Sequence, residues 1–212
     1  MNPEPIDLFH MGNERTIASY VLDTDDGPAL FDCGPATTVD ALKRGLADRG
    51  LQLEDVRHLL LSHIHLDHAG AAGVLVREHP ALQVHVSEIG APHLVDPSRL
   101  ERSARRLYGD GFDTLWGELA PVPEENVHVV GALVLGLDCF PTPGHASHHV
   151  CYIDADGTHE YHWTLGSLLN AMSGAGLLLQ HVGESVPKSP RFWQDFSYER
   201  SSVDGFLDWR LR

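Results

Sequence analysis

At 212 residues with 42% hydrophobic content, the chain is long enough to bury one sizeable core. Thirty acidic residues stand against 15 basic ones, a formal net charge of −15. Phosphate contacts supply most nucleic-acid affinity, so this balance argues against a nucleic-acid partner. No linker, low-complexity tract or internal repeat interrupts the chain, and residues 1–212 read as a single domain. The opening Met1-Asn2-Pro3-Glu4-Pro5 lacks the pattern of a signal peptide, and no apolar run nears the ~20 residues that span a bilayer. Cys33, Cys139 and Cys151 are odd in number and lie in apolar segments, which argues against a disulfide framework. The cytoplasm is the expected location, with no membrane partner.

Residues 16–22 and 28–31 predict two strands joined by the turn signal Asp25-Asp26-Gly27. Thr37 or Thr38 suits the cap of a following helix. Asp40 falls in its first turn, Val39, Leu42 and Leu46 form its apolar stripe, and Gly50 ends it. Residues 56–61, closing on Leu59-Leu60-Leu61, predict a strand covered on both faces. Ser62-His63-Ile64-His65-Leu66-Asp67-His68 follows, and residues 69–78 predict a helix. That helix opens on Ala69, Gly70, Ala71, Ala72 and Gly73. Glycine costs about 1 kcal/mol relative to alanine inside a helix, so close approach of backbone to the site or the sheet is the expected reason.

Residues 82–86 predict a further strand, and 88–119 a helical cap beside the sheet. Arg99, Arg102, Arg105 and Arg106 cluster in the cap, and Arg99, Arg102 and Arg106 share one helical face. Such a face reads either as solvated, with Glu101 as a partner, or as an attractor of an anionic substrate. His93 lies in the same segment. Strands are expected over 127–130, 133–140 and 149–153. The last is closed by the hairpin signal Ala155-Asp156-Gly157, with a return strand through Tyr161, Trp163 and Leu165. Strands and helices mixed in this order indicate a layered α/β protein.

The polar cluster after Leu61 falls at the carboxyl end of a strand, where open α/β sheets place their ligands. His63, His65 and Asp67 share parity in an extended segment, and His68 stands close behind. Four metal-type side chains within six positions exceed what a core needs, and they predict a metal site. Imidazole and carboxylate without thiolate suit zinc, with iron or manganese as competitors.

The pattern His63-x-His65-x-Asp67-His68 resembles the signature of the metallo-β-lactamase superfamily. Pro141-Thr142-Pro143-Gly144-His145 resembles that family's next histidine motif, and Ala29-Leu30-Phe31-Asp32-Cys33-Gly34 its early strand ending in Asp-x-Gly. The likeness runs in order from about residue 8 to residue 157. It implies an α/β, four-layer αβ/βα sandwich, incomplete in its C-terminal half, and a metal-dependent hydrolase. By this resemblance His63, His65 and His145 hold one metal, while Asp67 and His68 contribute to a second, for one or two zinc ions. A metal-bound hydroxide would attack the carbonyl of a small ester, thioester, lactone or amide. Asp67 would orient it and accept a proton.

Asp32 is expected either to hold a ligand histidine from behind or to form the turn before Gly34. On a strand, His148 and His149 would point to opposite faces, so at most one is expected to turn toward the site. The family's bridging aspartate has no counterpart between Asp156 and Asp195. Glu160 and His162 stand near its place, and His181 is the candidate for the family's last histidine. This departure keeps two alternatives beside the hydrolase: a mononuclear iron oxygenase of the persulfide type on the same scaffold, and a metal-binding remnant without turnover.

Overall fold

A β2–β3 hairpin starts the main sheet. β2 (Ala18–Thr24) and β3 (Gly27–Phe31) pair antiparallel around Asp25-Asp26, with Gly27 at φ 100, a conformation open to glycine. A short β1 (Ile6–Asp7) flanks β2. From β3 onward the sheet is parallel, through β4 (His58–Leu60), β5 (Gln83–Val86) and β6 (Val127–Val129), giving six strands in sequence order. This computed structural model describes residues 4–154 together with the backbone of two short strands further on. The chain clusters into two compact units, Met1–Tyr161 and His162–Arg212.

Parallel strands need crossovers, and the helices supply them. They are α1 (Val39–Ala47), α2 (Leu66–Ala69), α3 (Ala72–Glu78), α4 (Ala91–Val95), α5 (Ser98–Tyr108) and α6 (Phe112–Leu115). Leu30, Leu59, Val84 and Val86 face α1 and α3, burying Leu42, Leu46 and Leu75. Ala29 and Leu60, on the other face, join Leu22 against Val134, Leu137, Cys139, Val150 and Tyr152. Those residues belong to a second sheet of three strands, β7 (Leu133–Val134), β8 (Leu137–Pro141) and β9 (Val150–Asp154). Leu59, Leu60 and Leu61 are all fully buried, as a strand with two covered faces requires. Burying each such side chain is worth about 1.5–3 kcal/mol.

The described residues of the first unit thus form three layers: helices, sheet, sheet. The outer helical layer of the expected sandwich, the Ala155-Asp156-Gly157 turn, the return strand, Glu160 and His162 all lie outside the described residues. In the second unit, β10 (Leu179–His181) and β11 (Arg210–Leu211) pair antiparallel.

Three local expectations are corrected. The helix expected over 69–78 is split between α2 and α3, with Gly70 at the joint. A side chain at Gly70 would strike the Leu66 carbonyl and press on Pro35, and one at Gly73 would strike the Ala120–Pro121 backbone. The glycines thus allow close approach of neighbouring segments, rather than of the site or the sheet. The strand expected over 133–140 is a hairpin, because Leu135 (φ 52) and Gly136 (φ 86) are both left-handed, the geometry that suits a two-residue turn. The cap over 88–119 is three helices, interrupted at Pro97 and at Gly109–Gly111. No helix among the described residues is long and apolar enough to cross a membrane.

Candidate metal centre

The ends of β3 and β4 and the start of β9 meet at one place. Asp32, just past β3, sits at φ 54, a conformation aspartate tolerates better than most residues. Its N–H donates to the Leu60 carbonyl at 2.9 Å, and the Ser19 hydroxyl donates to its own carbonyl at 2.7 Å. The N–H groups of Cys33 and Gly34 donate to the His68 carbonyl at 2.7 and 3.2 Å, and that of Val150 to the Ser62 carbonyl at 2.8 Å. These bonds sew the loop after β4 to its neighbours on both sides.

The Asp32 carboxylate is buried, so it must be paired. It accepts from the Ser62 N–H at 2.8 Å, the Ser62 hydroxyl at 2.8 Å and His68 Nδ1–H at 2.7 Å. This settles the expectation about Asp32 in favour of a residue that holds a histidine from behind. It also orders the neighbouring protons. The Ser62 hydroxyl gives its hydrogen to Asp32, so its oxygen accepts from His63 Nδ1–H at 2.9 Å. That leaves His63 Nε2 with an open lone pair.

His63 Nε2 lies 3.1 Å from His65 Nδ1, which lies 3.0 Å from His145 Nε2. One ring nitrogen from each of the three falls within 4.8 Å of the others, and no other such trio of His, Cys, Asp or Glu occurs among the described residues. A tetrahedral ion with bonds of ~2.0–2.1 Å has ligand atoms ~3.3–3.4 Å apart, so the donor set and spacing fit a small dication such as zinc. His63 is buried, His65 intermediate and His145 exposed, so the trio opens to solvent on one side.

Asp67 departs from the expected extended segment: it lies in α2, as does His68, because the chain turns helical at Leu66. Its Oδ2 is 3.2 Å from His68 Nε2. Burial alone would lower the His68 pKa, but its hydrogen bonds to Asp32 and Asp67 outweigh burial and raise it to about 10. Burial would raise the Asp67 carboxyl, yet the bond to His68 and that ring's charge bring it down to about 2. Burial, then the charges of His68 and His65, depress His63 to about 2; burial, then His145, also lowers His65. At neutral pH His63 and His65 are neutral, the form that ligates.

His148 and His149 correct a further expectation. Both precede β9 in a turn, so strand alternation does not separate them, and their ring centroids lie 6.0 and 5.1 Å from that of His63. His149 Nδ1 is 2.7 Å from the Thr142 hydroxyl, and His148 Nδ1 accepts from the Ile64 N–H at 3.4 Å. Burial, followed by His65, lowers His148 to about 4. Pro143-Gly144 and the small Ala146-Ser147 were the signal that a turn extends to residue 149. His93, in α4, is near enough for its charge to help lower His148, but it is not in the trio. Ser62, which sequence reasoning missed, carried only its position before His63 as a signal.

In the cap, Leu66 packs with Ala104 and Phe112. Arg105 pairs with Glu101 at 2.9 Å and Asp113 at 2.7 Å, and lies over the Phe112 ring. Arg99, Arg102 and Arg106 are exposed, with Arg102 and Arg99 near Asp96.

The model of the metallo-beta-lactamase superfamily matches residues 12–159. The chain belongs to this superfamily, which spans both histidine motifs and the Asp32 strand. Lactamase-like protein adaB of Aspergillus niger is 28% identical over 137 residues, covering 64% of this chain and 34% of its own length. Lactamase-like protein notP of Aspergillus sp. (strain MF297-2) is 28% identical over 138 residues, with the same coverage of 64% and 34%. The chain thus spans about a third of the length of these curated relatives.

Among solved structures, an archaeal superfamily protein from Sulfolobus tokodaii superposes with a TM-score of 0.57 at 20% identity, over 71% of this chain and 59% of that one. The metallo-beta-lactamase MIM-1 from Novosphingobium pentaromativorans gives 0.51 at 26% identity, over 74% and 55%. A protein crystallised in a di-iron-bound form gives 0.52 at 22%, over 74% and 81%. These likenesses place the α/β architecture within the metallo-β-lactamase fold.

Proposed function

We propose that the chain is a metal-dependent hydrolase acting on the carbonyl of a small ester, thioester, lactone or amide. The observation that carries this reading is the convergence of His63 Nε2, His65 Nδ1 and His145 Nε2 on the solvent side of a rigidly bonded loop. Zinc is the ion this donor set suits best, and when bound it supplies Lewis acidity and hydroxide at neutral pH. The chain's own residues do the rest. Asp32 and Ser62 fix the His63 ring with Nε2 forward, and Asp32 holds His68 from behind. Asp67, ionised at neutral pH, serves to orient the attacking oxygen and take its proton.

A second cation would replace the proton held between His68 and Asp67. Two adjacent dications repel, and a bridging carboxylate normally offsets that repulsion. With no aspartate between Asp156 and Asp195, we expect one tightly held ion and a weaker second position. The three free cysteines suit a cytoplasmic enzyme built as a single metallo-β-lactamase-like domain.

The test is metal content by mass spectrometry on untagged protein purified without added metal, paired with an ester and thioester screen. Loss of the metal-centre zinc on His63→Ala, with turnover in the unsubstituted chain, is the expected result. Iron with oxygen uptake would favour the oxygenase, for which the di-iron form of one structural relative is a precedent for iron only. Tight metal without turnover would leave a binding remnant.

A further inference from the structure

A second group of imidazoles lies on the main sheet, outside the metal centre. His58 opens β4, His85 lies in β5 and His128 in β6. His85 stands in register with Leu60 on one side and His128 on the other. Leu59, Val84 and Val86 turn to the helices, so by strand alternation these three histidines share the opposite face with Leu60. His58 is buried, His85 half-buried and His128 exposed.

His58 Nδ1 and His85 Nε2 are 3.0 Å apart. The other ring nitrogen of His58 lies 2.9 Å from Asp26 Oδ2, whose second oxygen is 3.8 Å from Arg57. His128 stacks on His85 with centroids 5.4 Å apart, and its Nε2 bonds Gln83 Oε1. An ionised carboxylate only accepts, so Asp26 takes His58 Nε2–H and leaves Nδ1 with its lone pair toward His85. That is how ligating imidazoles are held: a carboxylate behind and an open nitrogen in front. The 3.0 Å gap matches the 3.0–3.1 Å gaps of the metal centre. Burial and the charge of His58 lower His85 to about 4, so its ring is neutral at pH 7.

We propose that His58, His85 and His128 form a second, separate site for a divalent transition cation. His58 Nδ1 and His85 Nε2 chelate it; the exposed His128 ring, whose nitrogens are not within ligand spacing of both here, leaves Gln83 to become the third ligand. Without the cation, His85 Nε2–H donates to His58 Nδ1; binding requires that proton to sit on His85 Nδ1 instead. The proposal is independent of the reaction at the metal centre.

The test titrates zinc chloride into the untagged full chain carrying His63→Ala, Asp67→Ala and His145→Ala, which removes ligands of both positions of the metal centre, with circular dichroism to verify folding. One zinc per chain is expected, lost on His85→Gln and weakened about 10–100-fold by Asp26→Asn. In the chain with its metal centre intact, His128→Ala, at an exposed position, should lower the zinc count by one. No zinc in the silenced chain, retention in His85→Gln, or an unchanged count in His128→Ala would each overturn the proposal.

Discussion

Removing the Asp32 carboxylate would leave the Ser62 N–H, the Ser62 hydroxyl and a half-buried His68 without their acceptor. Breaking a buried charged pair from one side costs about 3–5 kcal/mol, so Asp32→Ala should lower the unfolding free energy by that amount, read as a lower urea midpoint with the m-value unchanged. Asp67→Asn is a different kind of change. The amide keeps the shape and loses the charge, so turnover should fall far more than metal retention by His63, His65 and His145; unchanged turnover would remove Asp67 from the mechanism. His85 supplies a pH prediction. Its folded pKa, about 4, lies below the unfolded value of 6.5. Below pH 6.5 the unfolded chain takes the proton first, so the His85 contribution is present above about 6.5 and lost as pH falls through 4. The melting temperature of His85→Gln should therefore depend less on pH between these values than that of the unsubstituted chain.

At the scale of elements, Gly73 and the cap give opposite lessons about substitution. Gly→Ala inside a helix normally gains about 1 kcal/mol, but at Gly73 the new methyl meets the Ala120–Pro121 backbone. Gly73→Ala should therefore destabilise by more than 1 kcal/mol in denaturant melts, the cost of overpacking. In α5, Arg105 holds Glu101, Asp113 and the Phe112 ring together, so Arg105→Ala should lower the melting temperature more than Arg102→Ala does. The order of the strands from β2 through β6 was readable from local apolar runs and turn signals. The β7–β8 turn was not, because Leu135-Gly136 looks like the interior of one apolar run until the second sheet claims both halves.

For the whole molecule, a cation that binds only the folded chain stabilises it by mass action, about 2.7 kcal/mol at a hundredfold excess over Kd. At about 2–4 °C per kcal/mol for a chain of this size, zinc should raise the melting temperature visibly, and His63→Ala should reduce that rise. The sequence by itself determined the family, the α/β order and the metal-type residues His63, His65, Asp67, His68 and His145. The α/β order and His63, His65, Asp67 and His68 rest on local spacing, and the family and His145 on short motifs that resemble the superfamily's; none of these needs knowledge of distant contacts. Only the tertiary structure decided what lies behind those residues. Asp32 reaches His68 across 36 positions, Val150 ties to Ser62 across the two sheets, and His148 and His149 both turn inward because their segment is a turn. Such contacts join segments far apart in the chain, where periodicity carries no information, and strand register rather than composition brings His58, His85 and His128 together.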